Sequence, residues 1–366
     1  AQRHLRSARK LMNTQRASDS RATGFARRTV ALWLALGASA VYAQSAAPTA
    51  AAPQANAPAS SASPGNAAQQ QSVLHWLERL HMATRNRSYT GTFVFSNGTE
   101  IASSKIWHVC DGRQQLERIE ALTGAPRITM RRNDEVAIFF PVQKLVHKDR
   151  RDALRQFPDW LRPTNPRIDS FYSVRVVGSE RVAGLEATVV DFVAADGLRF
   201  GYRVWSEQRT GLMLKMQTRS PQGRVLEQVA FTELQLDAPV RLELLARQFE
   251  QTNGYRIVHS VQRPSTALDQ RWRMRHDVPG FQPMVFNLRQ DPNAAPIAQW
   301  VFSDGLASVS LFIETFNPQR HTRESVQAEG ATHSLTRRVG DHWVTAMGEV
   351  PPETLLLHIQ ALERLR

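Results

Sequence analysis

One cysteine, Cys110, stands among 366 residues. That excludes an internal disulfide framework and any iron–sulfur or zinc site built on several thiolates. No apolar run is long enough for a series of bilayer-spanning helices, which argues against a polytopic membrane protein. There is no G-x-S-x-G elbow, P-loop, H-E-x-x-H pair or G-x-G-x-x-G fingerprint. The eleven histidines are scattered: His75 and His81 are six apart, and His108, His147, His259, His276, His321, His333 and His342 show no paired spacing. No metal site and no cofactor are expected from such a pattern. Acids are also scarce, 33 against 46 Lys and Arg, for a net charge of +13. They form no motif. A carboxylate pair meeting across a sheet would leave a hydrolase open, but the expectation is a protein that is not an enzyme.

The excess charge is concentrated at one end. Residues 1–28 carry Arg3, Arg6, Arg9, Lys10, Arg16, Arg21, Arg27 and Arg28 against one acid, Asp19. A short apolar stretch, Val30–Val41, follows and ends in Val41-Tyr42-Ala43. A basic region, a short apolar region and small residues at the end are the pattern of a secretory signal peptide, 1–43, cleaved near Ala43. Cleavage would remove eight basic residues and one acid, leaving 38 basic and 32 acidic residues, or +6. That is a mildly basic surface and not a nucleic-acid footprint. It suits an acidic protein, an anionic head group or a membrane surface. Cys110 does not follow the cleavage site, so it is not a lipidated cysteine, and the mature chain is expected to be an exported, soluble protein. The thiol lies in a strand-like run and reads as buried and inert.

Residues 44–71 are Ala, Pro, Ser, Gln, Asn, Thr and Gly without charge, a composition that cannot offset chain entropy and reads as a disordered leader. Val73, Trp76, Leu77 and Leu80 then recur at helical spacing behind Ser72, predicting a capped amphipathic helix to about Arg87. Strands dominate afterwards. Tyr89–Phe95, Ile101–Cys110, Gln115–Leu122, Ile128–Arg131, Glu135–Pro141 and Lys144–Lys148 are separated by turns such as Asn97-Gly98 and Asp111-Gly112. A Pro-rich interruption, Asp149–Pro166, includes a short helix around Asp152–Phe157. Phe171–Val182, Leu185–Val193, Leu198–Ser206, Gly211–Ser220 and Arg224–Leu236 resume the strands. About eleven strands in one meander make a large curved antiparallel sheet, and the opening helix is its natural cover. The fold class is therefore α+β, mainly β, with a large domain over 72–237. A linker follows at 238–255. A smaller α+β domain, 256–366, holds strands at Trp272–His276, Pro283–Leu288, Ala298–Ser303, Leu306–Phe316, Ala331–Val339 and His342–Met347. A closing helix is set by Pro351-Pro352.

A helix across a curved sheet forms a concave apolar cavity of the kind that takes ligands. Phe93, Phe95, Trp107, Phe139, Tyr202, Trp205 and Phe231 are candidates to line it, though strand alternation turns about half of any such set inward.

These segments carry a resemblance. Ser88-Tyr-Thr-Gly-Thr-Phe-Val-Phe95, Arg132-Asn-Asp-Glu-Val136, Gly201-Tyr-Arg-Val-Trp205, Thr210-Gly-Leu-Met-Leu-Lys215 and Arg224-Val-Leu-Glu-Gln-Val-Ala-Phe-Thr-Glu233 occur in that order. The second domain adds Trp300-Val-Phe-Ser-Asp-Gly-Leu-Ala-Ser-Val-Ser-Leu-Phe-Ile-Glu314 and Gly340–Glu353. From Ser72 to the C-terminus the chain resembles the MucB/RseB family, periplasmic negative regulators of the envelope-stress sigma factor sigma-E. The resemblance implies a LolA/LolB-like open barrel with a lipid-sized cavity. It implies binding to the periplasmic part of a transmembrane anti-sigma factor (RseA or MucA), protection of that factor from regulated proteolysis, and release by lipopolysaccharide or mislocalised lipoprotein. On this footing Arg127, Arg131 and Arg199 are expected near the cavity rim as head-group ligands. The hairpin Ser303, Asp304, Gly305, Leu306 and Ser308 is the expected anti-sigma contact. A lipid or lipoprotein carrier of LolA type is the alternative, and a homo-oligomer remains open.

Overall fold

The computed structural model describes residues 72–150, 165–259, 262–289 and 295–365. The signal peptide, the leader and the helix expected around Asp152–Phe157 lie outside these. The first helix, α1, runs Val73–Arg85. Ser72 caps it, its hydroxyl accepting from the His75 amide at 3.1 Å, which satisfies one of the orphan donors of the first turn. Asp169 Oδ1 takes another, from Val73 N at 2.6 Å, and so ties the helix start to a 3-10 turn at Ile168–Ser170. Val73, Trp76, Leu77 and Leu80 are all buried along one stripe, each burial worth on the order of 1.5–3 kcal/mol.

Eleven strands follow: β1 Tyr89–Ser96, β2 Ile101–Cys110, β3 Gln115–Ala121, β4 Ile128–Arg132, β5 Glu135–Phe140, β6 Leu145–Arg150, β7 Tyr172–Val182, β8 Leu185–Ala194, β9 Gly201–Glu207, β10 Met213–Arg219 and β11 Val225–Leu236. They do not form one meander. The spatial order is β6-β5-β4-β3-β2-β1-β11-β10-β9-β8-β7, so two meanders meet where β1 pairs antiparallel with β11. Hairpin turns dictate only immediate neighbours. The long connection after β6 instead returns the chain to the opposite edge. The sheet is open, since its two end strands do not pair with each other.

The 238–255 segment, read as a linker, contains a helix, α2, at Leu242–Glu250. Beyond it β12, Arg256–His259, pairs parallel with β6 and makes the twelfth strand of the large sheet. Helices α1 and α2 cover opposite faces. Ile106 packs into the α1 cluster, while its neighbour Trp107 packs with Leu245 and Leu242 of α2, as the two-residue period of a strand requires.

The second domain has a seven-stranded sheet: β13 Gln262–Pro264, β15 Gln282–Arg289, β16 Ile297–Ser303, β17 Ser308–Thr315, β18 Ser325–Glu329, β19 Thr332–Val339 and β20 His342–Gly348, in the order β13-β15-β16-β17-β20-β19-β18. Helix α3, Pro352–Ala361, packs on it through Leu355 and Ile359. The short strands β14 Trp272–Met274 and β21 Leu362–Arg364 pair with each other. No helix among the described residues is long and apolar enough to cross a membrane. Cys110 is half-buried rather than buried, and its sulfur accepts from the Gly112 amide at 3.4 Å.

Candidate functional site

The face under α1 is aromatic in its middle and polar to one side. Phe231 stands edge-on to Phe93 at 6.1 Å and to Tyr89 at 6.5 Å. Gly91 makes room for it: a Cβ there would lie 2.6 Å from the Glu233 carbonyl oxygen and 2.9 Å from the Phe231 ring. Tyr89 stacks on His108 at 4.6 Å. His108 Nδ1 lies 2.8 Å from the Arg87 carbonyl oxygen and Nε2 lies 2.7 Å from Gln115 Nε2. A carbonyl only accepts, so Nδ1 carries the proton and Nε2 accepts from the amide.

The seven candidate aromatics do not line one cavity. Phe93, Phe95, Tyr202 and Phe231 belong to the α1 face, with Tyr202 and Phe231 fully buried in its core. Trp107 and Phe139 lie on the α2 face, Phe139 against Phe249 and, edge-on at 5.6 Å, Tyr255. Trp205 sits in a separate cluster with Ala187, Val189 and Leu214, its indole N–H donating to Glu180 at 2.7 Å. A cavity of about 470 Å³ opens beside Phe249, but Arg132, Glu135, Lys148, Asp149 and Glu250 line it, which does not suit an acyl chain.

The three candidate arginines also part company. Arg127 is exposed in the turn before β4. Arg131 is buried and ion-paired with Glu117 at 3.4 Å, each side chain 3 % exposed. Arg199 has no exposed side-chain surface at all, so it is not a rim residue. Its Nε donates to Asp304 Oδ2 at 2.8 Å, its Nη1 to Asp196, and its Nη2 to the Pro279 carbonyl oxygen at 2.8 Å. The guanidinium lies over the rings of Phe171 and Phe281, 4.8 and 5.2 Å from their centroids. Burial works against its charge, but Asp304 outweighs this and raises the Arg199 pKa.

Asp304 belongs to the hairpin expected to meet the anti-sigma factor, and that hairpin is occupied within the chain. Its Oδ1 accepts from the Leu306 and Ala307 amides at 2.8 and 2.7 Å and closes its own turn. Its Oδ2 accepts from Arg199 and from the Tyr172 hydroxyl at 3.2 Å. Burial, then the Asp304 charge, raises the Tyr172 pKa, so the phenol stays a donor. Asn165 Nδ2 donates to the Asp304 carbonyl oxygen at 2.8 Å. Ser303 Oγ donates to Ala307 O at 2.8 Å and accepts from Gly305 N at 3.1 Å. Leu306 is 2 % exposed and belongs to the α1 core cluster. Ser308 pairs with Ser303 at the base of the hairpin. These residues hold the second domain on the first, because both carboxylate oxygens and the leucine are already committed there.

Two further hydrogen-bonded contacts extend the seam, beside the Phe200 ring, 5.9 Å from that of His333. At one, the Ala331 amide donates to Glu227 Oε2 at 3.3 Å and Asn97 Nδ2 donates to Glu329 Oε1 at 3.3 Å. Burial, then the Glu349 charge, pushes the Glu227 pKa up to about 8. At the other, Thr354 Oγ1 donates to the Leu198 carbonyl oxygen at 2.7 Å. One turn later His358, between Phe281 and Phe302, has its pKa lowered to about 4 by burial. No group of three or more metal-binding side chains occurs among the described residues. The seam can position two domains; it assembles no nucleophile with a base.

Comparison with known proteins matches both halves. The family model described as MucB/RseB N-terminal domain covers residues 72–252, and that described as MucB/RseB C-terminal domain covers 266–363. The sigma factor AlgU regulatory protein MucB of Pseudomonas aeruginosa is 30% identical over 297 residues, 78% of this chain and 89% of that protein. The sigma-E factor regulatory protein RseB of Salmonella typhimurium is 25% identical over 295 residues, 79% and 90% of the two chains. A crystal structure of MucB in complex with MucA(peri) superposes with a TM-score of 0.62 at 27% identity, covering 80% of this chain and 98% of that one. Two adjacent family matches in order, with a relative at this identity over most of both lengths, establish that the chain belongs to the MucB/RseB family.

Proposed function

We propose that this protein is a periplasmic regulator that binds the periplasmic region of a transmembrane anti-sigma factor of the MucA/RseA type and shields it from regulated proteolysis, so restraining a sigma-E-like factor. The observation that carries the reading is the match, over nearly the whole length of the other chain, to a MucB held in complex with MucA(peri).

Lipopolysaccharide or mislocalised lipoprotein is the releasing signal in this reading. Lipid and anti-sigma binding are then linked, each weakening the other by the same factor. Phe93 and Phe95, only half-buried, are the aromatics open to an acyl chain, whereas Tyr202 and Phe231 are sealed in the core. Anti-sigma contact is assigned to surfaces other than the Ser303–Ser308 hairpin.

The test is binding of residues 44–366 to the periplasmic segment of the cognate anti-sigma factor, with and without purified lipopolysaccharide. Tight binding that lipid weakens supports the reading. No binding, with lipid still retained, would move the protein to the carrier class.

A further inference from the structure

On the sheet face opposite α1, one carboxylate gathers three guanidiniums. Asp191 accepts from Arg203 Nε at 2.6 Å and Nη2 at 2.9 Å, and from Arg175 Nη2 at 3.0 Å. Arg219 Nη1 lies 3.9 Å from it. The face is fixed by alternation: Ala187 and Val189 share the side of Asp191, while Val190 and Phe192 point to α1. Strand register sets Arg175, Asp191, Arg203 and Gln217 in one row across β7–β10. Gly201, Arg219 and Val225 share the next row across β9–β11. Further along the face, Lys215 lies 4.2 Å from the Trp205 ring centroid, and Glu180 holds the same indole.

Four cations of this face therefore meet two carboxylates, an excess of two positive charges; its third carboxylate, Glu207, is paired with Arg209. Structure alone does not require this. Arg203 by itself makes a bidentate pair with Asp191. Burial works against that carboxylate's charge, and its bonds to Arg203 and Arg175 outweigh burial and lower its pKa. The Arg175 side chain is 69 % exposed, and its Nε and Nη1 have no protein acceptor among the described residues. Arg219 has its fork fixed by two bonds to the Gly223 carbonyl oxygen, at 3.3 and 3.0 Å. Gly201, opposite Arg219, adds no side chain to the row. Val193 and Val225, 43 % and 42 % exposed, flank the cluster on the same face.

We propose that this face binds a phosphomonoester carried on an apolar chain, with the phosphate between Arg175 and Arg219 and the first methylenes against Val193 and Val225. Guanidinium N–H groups donate charge-assisted hydrogen bonds to phosphate oxygens, and a dianion neutralises an excess of two. This site lies on the opposite face of the sheet from Phe93 and Phe95 and is separate from the acyl-chain contact of the proposed function; anti-sigma binding does not enter it.

The experiment is calorimetric titration of the full chain with monomeric dihexanoyl phosphatidic acid, dihexanoyl phosphatidylcholine and inorganic phosphate. The variants are R175Q/R219Q and, as an exposed control on the same edge strand, R181Q. Phosphatidic acid is expected to bind wild type and R181Q alike, and the double variant about tenfold or more weakly, a loss of ~1.4 kcal/mol or more. The other two probes are expected to bind wild type more weakly by a similar factor. Equal binding to the double variant overturns the site, and so does an equal loss in R181Q, which would reflect net charge alone. Inorganic phosphate binding as tightly as phosphatidic acid overturns the role of the valines. Equal binding of a Glu-rich peptide overturns the proposal in favour of an acidic protein partner. Lipid-free anti-sigma pull-down by the double variant is expected to match wild type. If neither protein captures the anti-sigma segment while phosphatidic acid binds as expected, the regulatory reading fails and this site stands.

Discussion

Arg199 Nε lies 2.8 Å from Asp304 Oδ2 with neither side chain exposed, although 105 residues separate them in the chain. The other oxygen of that carboxylate closes the hairpin that carries it. The shape of the turn and the attachment of the second domain therefore depend on one side chain.

Removing the charge from Asp304 leaves a buried cation with only the partly exposed Asp196 as counter-ion. Asp304→Asn is expected to cost about 3–5 kcal/mol, whereas R199M/D304N, which keeps an oxygen on the Leu306 and Ala307 amides and leaves no buried cation, costs less. Urea denaturation of the three proteins checks this. A loss below ~1 kcal/mol for Asp304→Asn would mean that Asp196 alone suffices as counter-ion.

Docking depends on the hairpin tip as well. Gly305 has φ +110°, and a Cβ there would sit 2.8 Å from Asn165 Cβ and 3.2 Å from Ile168 Cδ1. Gly305→Ala is expected to lower the melting temperature, and Leu306→Ala to cost about 2–5 kcal/mol as a buried truncation. A charged residue at 306 should destabilise the protein too, so weakened pull-down by that variant would report undocking and not a lost anti-sigma contact. An unchanged melt for Leu306→Glu would contradict the buried placement.

Two buried groups give stability a pH dependence of opposite sign. The Glu227 pKa is raised from 4.5 to about 8, so its contribution is fully present below 4.5 and is lost as pH rises through 8. The His358 pKa is lowered from 6.5 to about 4, so its contribution is present above 6.5 and is lost as pH falls through 4. Glu227→Gln is expected to flatten the decline in melting temperature between pH 5 and 8, and His358→Gln the decline between pH 6.5 and 4. Parallel melting curves for wild type and Glu227→Gln across pH 5–8 would rule out a buried protonated carboxyl at that contact.

At the start of the large domain, Ser72→Ala removes the acceptor for the His75 amide and is expected to cost about 1 kcal/mol. Leu80→Ala, on the buried stripe of the same helix, should cost about 2–5 kcal/mol. Denaturant midpoints at constant slope are the measurement; similar losses for the two variants would place Leu80 outside the core.

Local structure was readable where a local signal existed. Ile101–Cys110 forms the strand that its flanking turns delimit, and Ser72 caps the helix that its apolar spacing predicts. Helix α2 carried a signal too, in Leu242, Leu245, Ala246 and Phe249, but its short length let it pass as a connection. The split into two meanders was not readable, because Asn-Gly and Asp-Gly turns say nothing about where β7 begins. Nor was the seam. Arg199 stands between Leu198 and Phe200 just ahead of a strand and, as an arginine, reads as solvated; only a contact far along the chain buries it. The arginine cluster on Asp191 was hidden likewise: Arg175, Arg203 and Arg219 sit on three strands and meet only through register.

The pairing of β1 with β11 has a bearing on how the chain is made. The β2–β6 and β7–β11 halves consist of adjacent hairpins and can form as each is synthesised, but β1 pairs with a strand whose first residue is Val225. Joining of this kind is slow, because a long loop must close before the contacts that stabilise it exist. Until β11 emerges, Tyr89–Ser96 offers a bare hydrogen-bonding edge, an aggregation hazard during synthesis. Closure of the large sheet thus waits on its last antiparallel strand, which also carries Glu227 of the seam.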